Sequence, residues 1–342
     1  MLTNLLLFHQ TSKMATADTP RPSDIIPMEQ RGYHIGEKIG SGSYATVYRA
    51  EYVTCSKTTS LACKIIDKEK AHPYFMEKFF PRELDILKKV EHPYIIQLHS
   101  ILQRESRIFI FMSFASGGDL LGHIRSHGPV PEPRSRKWFR QILEGLRYMH
   151  EQNIAHRDLK CENILLSAHY NIKIADFGFA CYCVDSNSIR TLSRTFCGSA
   201  AYAAPELLSG MPYNPKLADV WSTGVILYIM LNASLPFHDS NLRRMLREQL
   251  TKNWSFRIKV RDSVSQDARA VVGDILEPDV TRRPTVDRVL SYEWVSVRSR
   301  VAETPLSVPI DNVSSNVWPC AEMHSLLEKD ASVENEAGCS KF

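Results

Sequence analysis

His156-Arg157-Asp158-Leu159-Lys160-Cys161-Glu162-Asn163 is the stretch on which the reading of this chain turns. It is followed by Asp176-Phe177-Gly178 and then by Ala204-Pro205-Glu206. Working outward toward the N-terminus, Lys64 closes the apolar run Leu61-Ala62-Cys63-Lys64, and Glu83 stands nineteen positions later. On its own the lysine reads as a solvated strand end. With Glu83, whose carboxylate can hold an ammonium toward phosphates, the two readings are evenly matched. Further out lies Gly40-Ser41-Gly42-Ser43-Tyr44-Ala45-Thr46-Val47. Glycines there let backbone N–H groups approach an anion, but an ordinary hairpin turn accounts for them equally well. A dinucleotide-binding reading requires the glycines to open a helix. Here the strand-like Thr46-Val47-Tyr48 follows instead, which weakens it.

The composition fits a soluble globular chain. Of 342 residues, 44% are hydrophobic and 23% charged, with a formal net charge of +4. No block of five or six basic residues occurs, so charge gives no reason to expect nucleic acid or a membrane surface as partner. The eight cysteines are sparse and show no CxxC spacing. They read as reduced thiols of a cytoplasmic protein, and Cys181, Cys183 and Cys197 lack the spacing of a zinc site. Leu5-Leu6-Leu7-Phe8 is too short to span a bilayer, and Lys13 follows it rather than preceding it, so neither a secretory signal nor a membrane anchor is expected. The apolar stretch from Val220 to Leu231 has the length of a buried helix.

Three regions follow from pattern. Residues 1–32, with Pro20, Pro22 and Pro27, read as a flexible leader. Residues 33–295 form the domain. Its first part, to about residue 114, is built from short strand-like runs at Tyr33-His34-Ile35, 46–48, 60–66 and 108–112, interrupted by one helix from Met76 to Val90. Ser116-Gly117-Gly118 marks a break, and from about residue 117 to 295 helical patterns dominate, notably Arg134–Glu151 and Asp219–Leu231. Residues 296–342 read as a disordered tail in which Met323, Leu326 and Leu327 can form one short docking turn. The fold class is α+β: a small β-rich lobe and a larger α-helical lobe with a cleft between them, the usual place for a ligand.

Taken together, in order and with these gaps, the glycine-rich loop, the strand lysine, H-R-D-L-x-x-x-N, D-F-G and A-P-E resemble a eukaryotic protein kinase. The resemblance spans residues 33–295. Thr195-Phe196-Cys197-Gly198-Ser199-Ala200-Ala201-Tyr202-Ala203-Ala204-Pro205-Glu206 and Glu77-Lys78-Phe79-Phe80-Pro81-Arg82-Glu83 narrow it to the testis-specific serine/threonine kinases, within the calmodulin-dependent kinase group. Ala200 departs from that pattern, standing where proline is common.

The resemblance implies a two-lobed enzyme that moves the γ-phosphate of ATP, with Mg²⁺, to Ser/Thr hydroxyls of protein substrates. Asp158 is then the catalytic aspartate and proton acceptor, and Lys160 the lysine near the γ-phosphate. Lys64 clamps the nonreacting phosphates with Glu83 fixing it, and Asn163 and Asp176 are the metal ligands. The nucleotide site comprises Ile39, Gly40, Ser41, Gly42, Ser43, Val47, Ala62, Met112, Phe114, Ala115, Asp119 and Leu165, with Met112 as gatekeeper, Ser113 to Ala115 as hinge and Asp119 at the ribose. Thr195, eleven positions before Glu206, is the expected regulatory phosphosite, served by an upstream activating kinase, and a phosphate there would pair with Arg157. Ser199 is expected to support Asp158 and Lys160, and Glu206 to pair with Arg283. Asp119 and Glu162 place two carboxylates where basic residues upstream of a substrate hydroxyl would lie. A role in sperm differentiation is implied by the resemblance alone. Two rivals are a pseudokinase, disfavoured by retention of Lys64, Glu83, Asp158, Asn163 and Asp176, and a nucleotide-binding oxidoreductase, disfavoured by the strand after the glycines.

Overall fold

The computed structural model describes residues 20–42, 45–185, 187 and 189–296. After a first helix, α1 (Pro22–Glu29), strands β1 (Tyr33–Ser41), β2 (Thr46–Val53) and β3 (Thr58–Asp67) run as antiparallel neighbours. Helix α2 (Phe80–Lys89) continues a π-helical turn at Phe75–Phe79, and β4 (Leu98–Arg104) and β5 (Arg107–Ser113) complete a five-stranded sheet in the order β1-β2-β3-β5-β4. The register sets Val47 opposite Lys64 and Ala62 opposite Met112, so one face of the sheet gathers the side chains expected around a nucleotide. Pro81 lies in the first turn of α2, where its missing N–H costs nothing. Phe80, Glu83, Ile86 and Leu87 turn inward from that helix at helical spacing.

The second lobe is helical. Helices α3 (Leu120–His127) and α4 (Glu132–Glu151) lead to the short strand pair β6 (Ile154–Ala155) and β9 (Cys181–Tyr182), with the hairpin β7 (Ile164–Leu166) and β8 (Ile172–Ile174) between them. Helices α5 (Pro205–Leu208), α6 (Pro215–Asn232), α7 (Leu242–Leu250), α8 (Ile258–Arg261), α9 (Gln266–Ile275), α10 (Val286–Leu290) and α11 (Glu293–Ser296) follow. On α4, Trp138, Phe139, Ile142, Leu143, Leu146 and Met149 form one buried stripe against α6, whose residues from Val220 to Asn232 are buried almost all round, as its continuous apolar run requires. Gly117 carries the chain across from sheet to helices: a Cβ there would stand 2.8 Å from that of Leu166, and Gly118 takes φ +71°. Among the described residues no helix is long and apolar enough to cross a membrane.

The reading of residues 1–32 as a flexible leader is corrected at residues 22–29, which form α1. The helix escapes pattern analysis because Pro22 and Pro27 mask any period; tertiary contacts hold it. Met28 enters the core of the sheet's outer face with Tyr33, Tyr48, Phe109 and Phe111, and is 1% exposed. Asp24 accepts from the Arg107 guanidinium at 3.1 Å, and Asp67 flanks the same guanidinium at 3.5 Å, all three side chains being buried. The strand β4 was also not anticipated, its register with β5 being broken between Leu98 and Ser100. The expectations for residues 1–19 and for the tail from residue 297 onward, including the turn at Met323, Leu326 and Leu327, fall outside the described residues.

Breaking a buried ion pair on one side leaves a desolvated charge behind. Asp24→Ala is therefore expected to lower the unfolding free energy by about 3 kcal/mol, read as a lower urea midpoint at unchanged m-value. An unchanged midpoint would show that α1 is not part of the folded lobe.

Candidate active site

Lys64 meets Glu83 and Asp176 at the mouth of the cleft. Its Nζ lies 2.6 Å from Glu83 Oε1 on α2 and 3.3 Å from Asp176 Oδ1, which follows β8 in the other lobe. Glu83 is 1% exposed, and burial raises its carboxyl above the ordinary value despite the ammonium beside it. Burial alone would depress the Lys64 ammonium; the charges of Glu83 and Asp176 outweigh this and raise it. Asp176 is held below the usual carboxylate range, first by the charge of Lys64. The three groups are thus held together by one ammonium between two carboxyl groups.

A second cluster surrounds Asp158. Its Oδ1 accepts from the Ser199 backbone N–H at 2.9 Å and from the Ser199 hydroxyl at 3.0 Å. Its Oδ2 takes the Lys160 ammonium at 3.0 Å and Asn163 Nδ2 at 3.1 Å. Asn163 Nδ2 also donates to the Asp158 carbonyl at 2.8 Å, fixing the amide with its oxygen available to a further partner. Lys160 donates to the Ser199 hydroxyl at 2.9 Å, as the sequence led us to expect of that serine. The Asp158 charge raises Lys160 against the opposing effect of its burial. Glu206 receives both guanidinium nitrogens of Arg283, at 2.7 and 2.9 Å, an expected pair that anchors α5.

The backbone between these clusters is held in an unfavourable conformation. Arg157 and Asp176 take φ of +64° and +63°, the left-handed region that costs a residue with a Cβ about 1–3 kcal/mol. Asp219, at the start of α6, offsets that cost: it accepts from the backbone N–H groups of His156 and Arg157, both at 2.8 Å, and contacts His150 Nε2 at 3.1 Å. His156 donates from Nε2 to the Ala175 carbonyl at 3.0 Å and accepts the Asp158 N–H on Nδ1, tying the loop to the segment before Asp176. Gly198 closes over this loop at φ +89°, where an added Cβ would stand 2.4 Å from the Arg157 carbonyl.

The remaining expected residues fall as follows. Gly40 and Ser41 end β1 opposite Val47 and Thr46, and the Gly42 N–H donates to the Ala45 carbonyl at 2.8 Å, so the loop is a hairpin tip. Ile39 is on its exposed surface, and Ser43 lies outside the described residues. Leu165 bridges to Asp119 across the cleft floor. Asp119 also caps α3, accepting from the Gly122 N–H at 2.8 Å, a second role that the sequence did not indicate. Ser113 is bound to Gln97 through its N–H and its hydroxyl, and Phe114 and Ala115 are the first residues past β5. Arg157 makes no hydrogen bond to the unmodified Thr195 side chain. Arg157 donates to the Phe179 carbonyl at 2.7 Å and to the Ser193 hydroxyl at 3.2 Å, and Thr195 reaches that hydroxyl only through its backbone N–H. Asp219 was missed because it was read as a helix start; a lone carboxylate heading an otherwise apolar run, Ala218-Asp219-Val220-Trp221, was the available signal.

Residues 33–295 match the protein kinase domain family. Testis-specific serine/threonine-protein kinase 2 of Mus musculus is 44% identical over 275 residues, covering 80% of this chain and 75% of that protein. Testis-specific serine/threonine-protein kinase 3 of Homo sapiens is 43% identical over 266 residues, 78% of this chain and 96% of that protein. Serine/threonine-protein kinase SIK2 of Gallus gallus is 34% identical over 307 residues, 90% of this chain and 37% of that protein.

Removing the Asp219 carboxylate strands two buried backbone donors, each costing about 1–3 kcal/mol. Asp219→Ala is therefore expected to lower the melting temperature by several degrees, roughly 2–4 °C for each kcal/mol lost. Retention of the wild-type melting temperature would show that the catalytic-loop backbone is held by other groups.

Proposed function

This chain belongs to the protein kinase family and is an ATP-dependent serine/threonine protein kinase, and on that premise we propose which side chains carry the transfer and what they act on. The observation that carries the reading is the contact of Lys64 with Asp176, 112 positions apart in the chain and only 3.3 Å apart across the cleft. Phosphoryl transfer asks the protein for positioning and charge neutralisation rather than covalent chemistry. Lys64, buttressed by Glu83, draws the nonreacting phosphates inward. Asp158 orients the substrate hydroxyl and accepts its proton, and Lys160 neutralises charge at the transferred group. The backbone of Phe114 and Ala115 meets the adenine, which Val47 and Ala62 cover and Leu165 supports, with Met112 behind it. Asp119 has one carboxylate oxygen committed to its helix and the other for a ribose hydroxyl.

The donor set fits Mg²⁺. Asp176 and Asn163 offer only oxygen, Lys64 keeps Asp176 ionised, and among the described residues no group of three His, Cys, Asp or Glu gathers as a metal site. One carboxylate and one amide oxygen completed by phosphates is what a small hard cation accepts. When bound, the metal supplies charge neutralisation to the phosphate oxygens.

Thr195 is proposed as the activating phosphosite. Its support is the Arg157 guanidinium, already in contact with Ser193 two residues before Thr195, which a phosphate carrying about −1.5 to −2 charge would attract. A preference for basic residues upstream of the phosphorylated Ser or Thr rests on Asp119 and Glu162. Glu162 accepts from the Tyr202 hydroxyl at 3.3 Å, burial raises its carboxyl, and a substrate guanidinium would pair with it. Participation in sperm differentiation is proposed from the names of the relatives.

With Mg·ATP and a basic peptide, Asp158→Asn is expected to reduce kcat about 10²–10⁴-fold. An unchanged rate would remove Asp158 as the base. In an arrayed peptide library, replacing upstream Arg is expected to depress phosphorylation; a flat profile would end the proposed preference. Thr195→Ala is expected to lower activity while mass spectrometry of active wild-type material finds phosphate on Thr195, and active enzyme lacking that phosphate would refute the assignment.

A further inference from the structure

Helix α2 is held at Glu83 from the sheet side, but Glu83 can meet Lys64 only if the whole helix keeps its rotation and height. A second set of contacts holds it from the other lobe. Tyr182, on β9 and therefore part of the segment that follows Asp176-Phe177-Gly178, donates its hydroxyl to Asp85 Oδ2 at 2.6 Å. The same hydroxyl accepts from the Lys89 ammonium at 2.8 Å, and Lys89 also meets Asp85 at 2.9 Å, closing a three-membered ring of contacts. Lys89 lies over the Tyr182 ring as well, 5.0 Å from its centroid. The Asp85 carboxyl is drawn below its ordinary value, first by the Tyr182 hydroxyl and then by Lys89.

An exposed Asp85–Lys89 pair one helical turn apart contributes little by itself. The tyrosine changes its meaning, because it joins two elements 97 positions apart in the chain and is itself half-buried against the core. Its backbone is equally fixed: Tyr182 pairs with Ile154 on β6, immediately before the catalytic loop. The end of α2 receives a further hold from Tyr148, whose hydroxyl accepts the Glu91 N–H at 3.0 Å. The helix that presents Glu83 is thus referenced directly to the strand that leads into Asp158.

We propose that Tyr182 is a positioning residue for phosphoryl transfer: by bridging Asp85 and Lys89 it sets the height and rotation of α2, and through them the contact of Glu83 with Lys64. This rests on the reading of Lys64 and Glu83 as the phosphate clamp. When the hydroxyl is lost, α2 keeps its apolar packing but has one tether fewer, so the population with Glu83 engaged falls and ATP is used less well. On the proposed reading the substrate hydroxyl meets Asp158 and not α2, so use of the peptide is unaffected.

The test compares full-length wild type with Tyr182→Phe, Asp85→Asn and the double variant. Tyr182→Phe keeps the ring and its packing, and Asp85→Asn alters an exposed position, so melting temperatures are expected to match wild type. Each single variant is expected to lose about three- to tenfold in kcat/KM for ATP with KM for peptide unchanged, and the double variant no more than the larger single, the signature of two groups acting through one contact. Wild-type kcat/KM in Tyr182→Phe, or single losses that multiply in the double variant, overturns the proposal. Lys64→Met separates the two levels. If it is inactive while Tyr182→Phe is unimpaired, the positioning role alone fails; if it remains active, the clamp reading fails and the positioning role with it.

Discussion

The ammonium of Lys64 holds the two lobes to a common purpose. Among the described residues it is the one cation paired with both Glu83, on a helix of the β-rich lobe, and Asp176, on a loop of the helical lobe. A buried ion pair rarely adds much net stability, because desolvating both charges cancels most of their attraction. Its value here is geometric. Glu83 is too buried to tolerate the absence of its partner, so α2 is committed to the distance at which Lys64 reaches it, and the placement of α2 in turn limits where Asp176 can stand.

Around that pairing, rigidity is provided by groups that never face the cleft. Asp219 supplies two acceptors to a backbone that would otherwise pay for a left-handed Arg157 with nothing in return. Arg283 receives Glu206 from beneath, fixing α5, and with it the segment whose Ser199 touches Asp158. The distribution is economical in charge: Glu83, Asp158, Asp176 and Glu206 each meet a cation and Asp219 two N–H donors, which offsets the several kcal/mol that an unmet buried charge costs.

The two-lobed α+β architecture was legible in the sequence because its signals are short-range. Short strand-like runs marked four of the five strands of the sheet, the 3.6-residue stripe of α4 gave its core face, and five motifs gave the order of the chemistry. Contacts made by the fold rather than by pattern were not legible. Helix α1 has no period to read and exists because Met28 and Asp24 find Phe109 and Arg107 across the sheet. The second duty of Asp119 as a helix cap and the bridge from Tyr182 to Asp85 depend on side-chain directions that spacing does not contain. A motif names the residues that touch substrate; it is silent on those that hold them still.

The cross-pairing of charges also bears on the order of events in the cleft. Lys64 is paired with Asp176 and Lys160 with Asp158, so each lysine neutralises the carboxylate that the reaction needs exposed. A triphosphate presents the lysines with oxygens of higher charge density than a single carboxylate, and on the proposed reading they turn toward it. Asp176 is then freed for a metal cation and Asp158 for a hydroxyl proton. Each carboxylate thus keeps a cation beside it until, on that reading, the group it serves arrives. Ser199 stays behind as a neutral donor, its N–H and hydroxyl holding the Asp158 carboxylate in place after the lysine has turned away.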